Sequence, residues 1–402
     1  MTTILSTLAE PDGAPRQRQL DWLERARAVA PAIAEWRDAA EQERHLPSTL
    51  FEILRGTGLF ALGAPPELGG ASIGHEDLLE VVEELSRHDG SVGWNVTVAA
   101  HAAVVAGTYL PEASRGEIYT RGANTVFAGG LLPKGTARPV AGGFLVSGRW
   151  GFASGCQQAD WLLAPGLITA DGRPRLRQNG TPEMRAFCVP VSQAHIADTW
   201  YTAGLRGTGS HDFQLSDVFV PAEHSFPIQP DGPNQPGLLT LRHLLPYAWP
   251  SIAAVALGIA RDAIDSFVQL AVNKTPTLGS STLANQHVIQ ERVGRAQALV
   301  GSARAFLHQS VRQLPMSPDW SVPVSDELTA RIRLANAHAA QSAAEAVDLL
   351  FSAAGTSSIV ASNRLERCLR DVQVVRQHAA VERANIEMVG QYLLGLGLHL
   401  RR

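Results

Sequence analysis

Three groups of residues in this chain have types and spacings that could do chemistry. Towards the C-terminal end, Arg370-Asp371 is followed seven positions after the Asp by His378. An imidazole can hydrogen-bond an oxygen or take the proton of an acidic hydroxyl such as a phenol. In Trp150-Gly-Phe152-Ala153-Ser154-Gly155 a small hydroxyl sits among glycines that let the main chain approach a flat ligand; the plain alternative is that Ser154 is a turn residue. Gly355-Thr356-Ser357-Ser358 closes a helical stretch. Clustered hydroxyls and free amides there either hold phosphate oxygens or cap the helix.

Other residues carry two readings each. His101 follows Trp94 on an Ala- and Val-rich helical segment and is either a satisfied core residue or a group near a substrate. Arg206 and Ser210, in Gly204-Leu-Arg-Gly-Thr-Gly-Ser210, belong to a strand crossover or to a loop beside a ligand. Arg376 faces a ligand or solvent, and Arg370-Asp371 reads as an ion pair or helix-end contact fixing the last helix. Trp94, Phe127, Tyr247 and Trp249 line an apolar pocket of aromatic size or form part of the core.

The elements that must position these groups fall into three regions. Apolar residues recur at three and four over Leu20–Glu43, Leu46–Thr57 and Glu76–Ser86, which predicts helices. Thr49 and Glu52 have capping-box spacing, with Leu50, Ile53 and Leu54 as the apolar stripe. Between Thr125 and Phe226 the period becomes strand-like, as in Gly143-Phe-Leu-Val-Ser-Gly, Trp161-Leu-Leu-Ala and Arg185-Ala-Phe-Cys-Val-Pro. Four long helical stretches follow, at Leu241–Asn273, Leu283–Leu314, Asp326–Ala354 and Arg364–Leu396, which reads as a bundle. Asp231–Gly237 and Ser317–Val324 are connections. The chain is α+β, mostly α, with a helical domain over 1–122, a β-barrel-like domain over 123–230 and a four-helix bundle over 231–402.

Composition excludes several classes. A chain of 402 residues with net charge −4 has no basic footprint for nucleic acid. No apolar run approaches the roughly 18 residues that span a bilayer. Met1–Glu10 lacks the basic start of a leader, so the expectation is a cytoplasmic protein. Cys156, Cys188 and Cys368 lack disulfide or metal spacing and are expected as buried thiols, with no metal site. Only Lys134 and Lys274 are lysines.

Five strings in order resemble the acyl-CoA dehydrogenase superfamily, and within it the two-component flavin monooxygenases. They are Ser86-Arg-His-Asp-Gly-Ser-Val-Gly-Trp94, Trp150–Gly155, Gly204–Ser210 with Val218-Phe-Val-Pro221, Gly355–Ser358, and Arg370-Asp371 with His378. The resemblance implies that the 150–155 loop lies against the N5 and C4a side of a flavin, with Ser154 at its edge; dehydrogenases usually carry Thr where this chain has Ala153. It also implies a flavin phosphate at Gly355–Ser358 with Lys274 where the family uses Arg, loop 204–210 near the flavin, and His101 near substrate.

Within that resemblance the missing acid decides the reaction. The carboxylate that removes a proton beside a thioester falls at Ala379, and the alternative location, Gly232–Arg261, holds no Asp or Glu; only Glu382 remains as a shifted base. The implied activity is therefore that of an oxygenase component using reduced FMN or FAD and O2, through a C4a-hydroperoxide, to hydroxylate a phenol-like or polyketide aromatic. Ser154 and His378 are expected as hydrogen-bond donors, and His378, near its ordinary pKa of ~6.5, as base. No strand–GxGxxG–helix string marks a nicotinamide site, which implies a separate NAD(P)H:flavin reductase; family members are homotetramers. An N-oxygenase of amines or amino sugars, an acyl-CoA dehydrogenase, and a flavin-free helical binding protein are the alternatives.

Overall fold

The computed structural model describes residues 13–70, 73–229, 238–277, 279–315 and 323–398. The linker expected at 231–237 lies outside the described residues, as do Met1–Glu10 and most of the 317–324 connection.

Six helices come first: α1 (Gly13–Ala28), α2 (Ala30–Glu43), α3 (Ser48–Gly56), α4 (His75–His88), α5 (Gly90–Tyr109) and α6 (Glu112–Ile118). The one helix expected over 20–43 is two, because Pro31 near the start of α2 has no N–H to continue the ladder. The capping box at Thr49 and Glu52 is not formed. Pro47 precedes α3 without a side-chain cap, Glu52 lies 3.6 Å from Arg55, and Ile53 is exposed while Leu50 and Leu54 are buried. Helix α5, rich in Ala and Val and free of charged residues, is buried nearly all round. Its N-terminus is capped by Asp89, which accepts the amides of Ser91 and Val92, a contact worth about 1 kcal/mol.

Ten strands form the middle: β1 (Phe127–Gly129), β2 (Gly135–Val140), β3 (Gly143–Trp150), β4 (Trp161–Ala170), β5 (Arg173–Pro174), β6 (Met184–Pro190), β7 (His195–Ala197), β8 (Asp212–Pro221), β9 (Ser225–Gln229) and β10 (Leu239–Thr240). Their order is β10-β9-β6-β4-β2-β3-β8-β7, with β1 and β5 added to β4. Trp150, Leu162, Ile168, Phe187 and Phe213 fill the core of this region, each large side chain contributing about 1.5–3 kcal/mol.

The last region holds α7 (Leu241–Asn273), α8 (His287–Val311), α9 (Asp326–Ala354), α10 (Arg364–Val375) and α11 (Ala384–Leu393). Small residues such as Ala256, Ala260, Ala339 and Ala343 share one buried cluster and let α7 and α9 approach closely. The helix expected over 364–396 is interrupted at 376–383. There His378 Nδ1 accepts the Ala380 amide at 3.1 Å, and the Asn385 side chain donates to the carbonyls of Ala379 (2.8 Å) and Glu382 (3.1 Å). Side chains take backbone groups that a continuous helix would pair internally.

Helix α10 joins the three regions. Arg367 bonds Asp89 at 2.6 Å, Arg364 pairs with Asp262 of α7, and Arg370 bonds Glu366, Glu41 and the Ala203 carbonyl. Asp371 accepts the Leu205 amide at 2.6 Å. Arg370 and Asp371 thus serve different partners instead of pairing with each other. Gly204 is required at this crossing, since a Cβ there would lie 2.4 Å from the Arg370 carbonyl oxygen. Among the described residues, no helix is long and apolar enough to cross a membrane.

Candidate active site

The turn after β3 is built against loop 204–211. The Ala153 amide donates to the His211 carbonyl and the Gly155 amide to the Thr208 carbonyl. Gly155 adopts φ +72°, which favours glycine, and Phe152 holds φ +60°, a conformation costing a residue with a side chain about 1–2 kcal/mol. That turn leaves the Phe152 ring 75% exposed while Ala153 and Ser154 are buried.

A line of hydroxyls runs away from Ser154. Trp94 Nε1 donates to Ser154 Oγ at 2.9 Å. Ser154 Oγ lies 2.7 Å from Ser210 Oγ, which lies 2.7 Å from Thr208 Oγ1, which donates to the Leu205 carbonyl at 2.8 Å. The carbonyl can only accept and the indole can only donate. The Leu205 carbonyl also accepts Trp200 Nε1 and the Thr208 amide, both at 3.1 Å; the one order that makes all four contacts of the line hydrogen bonds at once runs from Ser154 towards Leu205 and turns a lone pair of Ser154 to a ligand.

The two histidines are fixed in the same way. Ser251 Oγ of α7 lies 2.8 Å from the Ala248 carbonyl and 3.0 Å from His101 Nε2, and both contacts are hydrogen bonds together when the hydroxyl gives its hydrogen to the carbonyl and takes the imidazole's. In that arrangement His101 is the Nε2–H tautomer, with a bare Nδ1. His378 accepts the Ala380 amide at Nδ1, so its hydrogen sits on Nε2. The His378 ring lies edge-on to Trp94 with centroids 5.5 Å apart. Burial pushes both imidazoles down to about 4, and repulsion from His378 adds to the effect at His101. Both are neutral at pH 7: His101 offers an acceptor and His378 a donor. The Nδ1 lone pair of His378 is engaged by the Ala380 amide, which leaves Nε2 as the ring nitrogen open to a ligand.

The His378 turn is held from below. Arg333 of α9 is buried, with Nη1 donating to Asn385 Oδ1 at 2.8 Å and its guanidinium 4.7 Å from the Trp249 ring centroid. That bond turns the Asn385 amide nitrogen towards Ala379 and Glu382.

At the end of α9, Lys274 Nζ donates to the Ala354 carbonyl (2.8 Å) and to Ser357 Oγ (2.7 Å). An ammonium has three hydrogens, and these two bonds, the ones it makes among the described residues, use two of them. Gly355 turns the chain at φ +59°, Thr356 is exposed, and buried Ser358 caps the helix through the Phe351 and Gly355 carbonyls.

The remaining candidates have partners of their own. Trp150 is buried, donates to the Pro165 carbonyl at 2.8 Å and stacks on Phe213. Arg206 donates to the Glu41 carbonyl at 3.2 Å. Arg376 lines a surface depression of about 460 Å³ with Gln341, Glu382, Arg383 and Glu387. Of the four aromatics, Phe127 packs on Tyr119, Tyr247 on His75 and Trp249 under Arg333, while Trp94 meets Ser154 and His378. Thr208, Ser251, Arg333 and Asn385 escape sequence reading; of these only Thr208 lay inside a glycine-rich string that could have flagged it. No carboxylate hydrogen-bonds or ion-pairs with Trp94, His101, Ser154 or His378 among the described residues.

This donor set suits a flavin: an exposed aromatic ring at Phe152, a hydroxyl acceptor and an imidazole donor for the ring system, and an ammonium with hydroxyls for a phosphate. Residues 21–115 match the family described as "Acyl-CoA dehydrogenase, N-terminal domain", and residues 251–383 match "Acyl-CoA dehydrogenase, C-terminal domain". The chain belongs to the acyl-CoA dehydrogenase family, and its relatives include flavin-dependent oxygenase components. It is 32% identical over 355 residues to indole-3-acetate monooxygenase of Pseudomonas putida, covering 88% of this chain and 89% of that one. It is 29% identical to the oxygenase component of the FADH2-dependent resorcinol hydroxylase of a Rhizobium species, covering 89% and 90%. The solved structure of XiaF from a Streptomyces species, in complex with FADH2 and glycerol, superposes with a TM-score of 0.85 over 96% of this chain and 98% of that one at 23% identity, and shows the same fold.

Proposed function

We propose that this chain is the oxygenase component of a two-component flavin-dependent monooxygenase that hydroxylates a small aromatic substrate. The observation that carries the reading is the pair of neutral histidines, with no carboxylate bonded to either among the described residues. Abstraction of a proton next to a thioester needs a strong, fixed base. Here that place is Ala379, and Glu382 lines the depression that also holds Arg376.

Reduced FMN or FAD, when bound, supplies the electrons that activate O2 for transfer of one oxygen atom. The chain supplies the rest. His101 Nδ1 accepts the hydrogen of a substrate O–H or N–H and draws electron density into the ring, and His378 Nε2–H donates to an oxygen on which negative charge builds. Lys274, Thr356 and Ser357 hold the phosphate. Trp94 and the buried wall of α5 keep water out.

The reduced cofactor comes from a separate flavin reductase, as for the two-component relatives. A homotetramer is supported by exposed apolar residues on the bundle, Val268, Val272, Leu393 and Leu394. Three free, buried cysteines suit a cytoplasmic setting. Mixing the protein with anaerobically reduced FMN or FAD and then O2 tests the reading. A transient flavin spectrum distinct from both reduced and oxidised forms, with hydroxylated product from indole-3-acetate or a phenol, is expected. Absence of any affinity for reduced flavin refutes it.

A further inference from the structure

The hydroxyl line behind Ser154 has a direction, and the direction has a consequence for the cofactor. It begins at a group that only donates, Trp94 Nε1, and ends at one that only accepts, the Leu205 carbonyl. With contacts of 2.7 Å between Ser154 and Ser210 and between Ser210 and Thr208, all four contacts are hydrogen bonds together only when each of the three hydroxyls gives its one hydrogen to the next, and the inference takes that order. Ser154 is left with a lone pair and no hydrogen to offer. The far end cannot drift, because the Leu205 amide is held by Asp371 at 2.6 Å.

Two-electron reduction of an isoalloxazine converts its ring nitrogen N5 from a bare acceptor into an N–H donor. An acceptor-only hydroxyl pairs with the reduced ring and sets lone pair against lone pair with the oxidised one. We infer that Ser210 and Thr208 are positioning residues that lock the Ser154 hydroxyl as an acceptor and thereby make the site favour reduced over oxidised flavin. The inference rests on the proposed flavin site, with Ser154 at the N5 edge. It adds two residues that need touch neither flavin nor substrate, and a physical reason for retaining one redox form of a diffusing cofactor.

Either end of the lock can be opened. Ser210→Ala removes the acceptor of the Ser154 hydrogen. Thr208→Val removes the acceptor of the Ser210 hydrogen, so Ser210 turns back and donates to Ser154. In both variants the Ser154 hydrogen is released towards the ligand and can pair with oxidised N5. Thr208→Ser keeps the hydroxyl and the lock.

The test is equilibrium binding of oxidised and of anaerobically photoreduced FMN and FAD, followed by flavin fluorescence and absorbance, with thermal melts to verify folding. Wild type is expected to prefer the reduced form. Ser210→Ala and Thr208→Val are expected to cut that preference by about three- to tenfold, the worth of one hydrogen bond, mainly by binding oxidised flavin more tightly, and Thr208→Ser to restore it. A folded Ser210→Ala with the wild-type preference overturns the inference and leaves the flavin site standing. Wild type that binds neither form removes the flavin site and the inference together. Should Thr208→Val not fold, Ser210→Ala, which only deletes one oxygen, decides the matter.

Discussion

The carboxylate of Asp371 accepts the main-chain amide of Leu205 at 2.6 Å, so helix α10 holds the loop whose carbonyl terminates the Ser154 hydroxyl line. Asp371 is almost wholly buried, with Arg367 3.9 Å away. Burial pushes its pKa up to about 6 against the pull of Arg367. Asp371→Ala leaves the Leu205 amide unpaired and Arg367 short of a counter-charge, and should cost about 2–4 kcal/mol in urea unfolding. Asp371→Asn keeps an acceptor oxygen for Leu205 and should cost less than half as much.

His378→Ala removes the donor from the site without touching the His101 pairing. A hydrogen bond to a charged oxygen is worth about 1.5–3 kcal/mol, so hydroxylation should slow about ten- to a hundredfold. O2 consumption continues and hydrogen peroxide replaces product. Product and peroxide per flavin oxidised measure this, and a variant with wild-type coupling excludes His378 from the chemistry.

His101→Ala should be selective in a way that His378→Ala is not. Loss of an acceptor for a substrate O–H is expected to lower kcat/KM by about 10²–10⁴ for a phenol, with little change for an analogue whose hydroxyl is methylated. Ser251→Ala frees the His101 tautomer and should give a smaller loss of the same kind.

Acid should destabilise the protein through the two histidines. Unfolded, each takes a proton near 6.5; folded, each stays neutral down to about 4. Between those values the unfolded chain holds the extra protons, so the stability present above pH 6.5 is lost as the pH falls towards 4. Asp371, raised to about 6, takes a proton in the folded state first and works in the opposite sense. His75 and His211 are also lowered by burial and act in the same sense as His101 and His378. Near pH 5 the slope of stability against pH in His378→Gln should be shallower than wild type by about 1.4 kcal/mol per pH unit, one proton's worth. Equal slopes would show that His378 titrates normally in the fold.

Lys274→Ala should weaken FMN about tenfold or more, as removal of a charge-assisted contact does, and leave riboflavin, which has no phosphate, unaffected. An equal loss for both ligands would place Lys274 away from the phosphate.

Much of this protein follows from its sequence alone. The succession of helices, strands and bundle is written in local periodicity, which switches from 3.6 to 2 and back. Ser154, His378, His101 and the 355–358 turn carry chemistry in their types, and the absence of an acid at Ala379 is a fact of sequence. What the tertiary structure decided is direction. The acceptor role proposed for Ser154 depends on Thr208, Ser210 and Trp94, brought from 54 to 60 positions away along the chain, and on a carbonyl that can only accept. The donor role proposed for His378 depends on a helix break made by Asn385 and Arg333, and the acceptor role proposed for His101 on Ser251 pointing its hydrogen at Ala248. A residue's type fixes which hydrogen bonds it can make. Only the neighbours that folding assembles determine which of them are already made, and so what each group has left for a ligand.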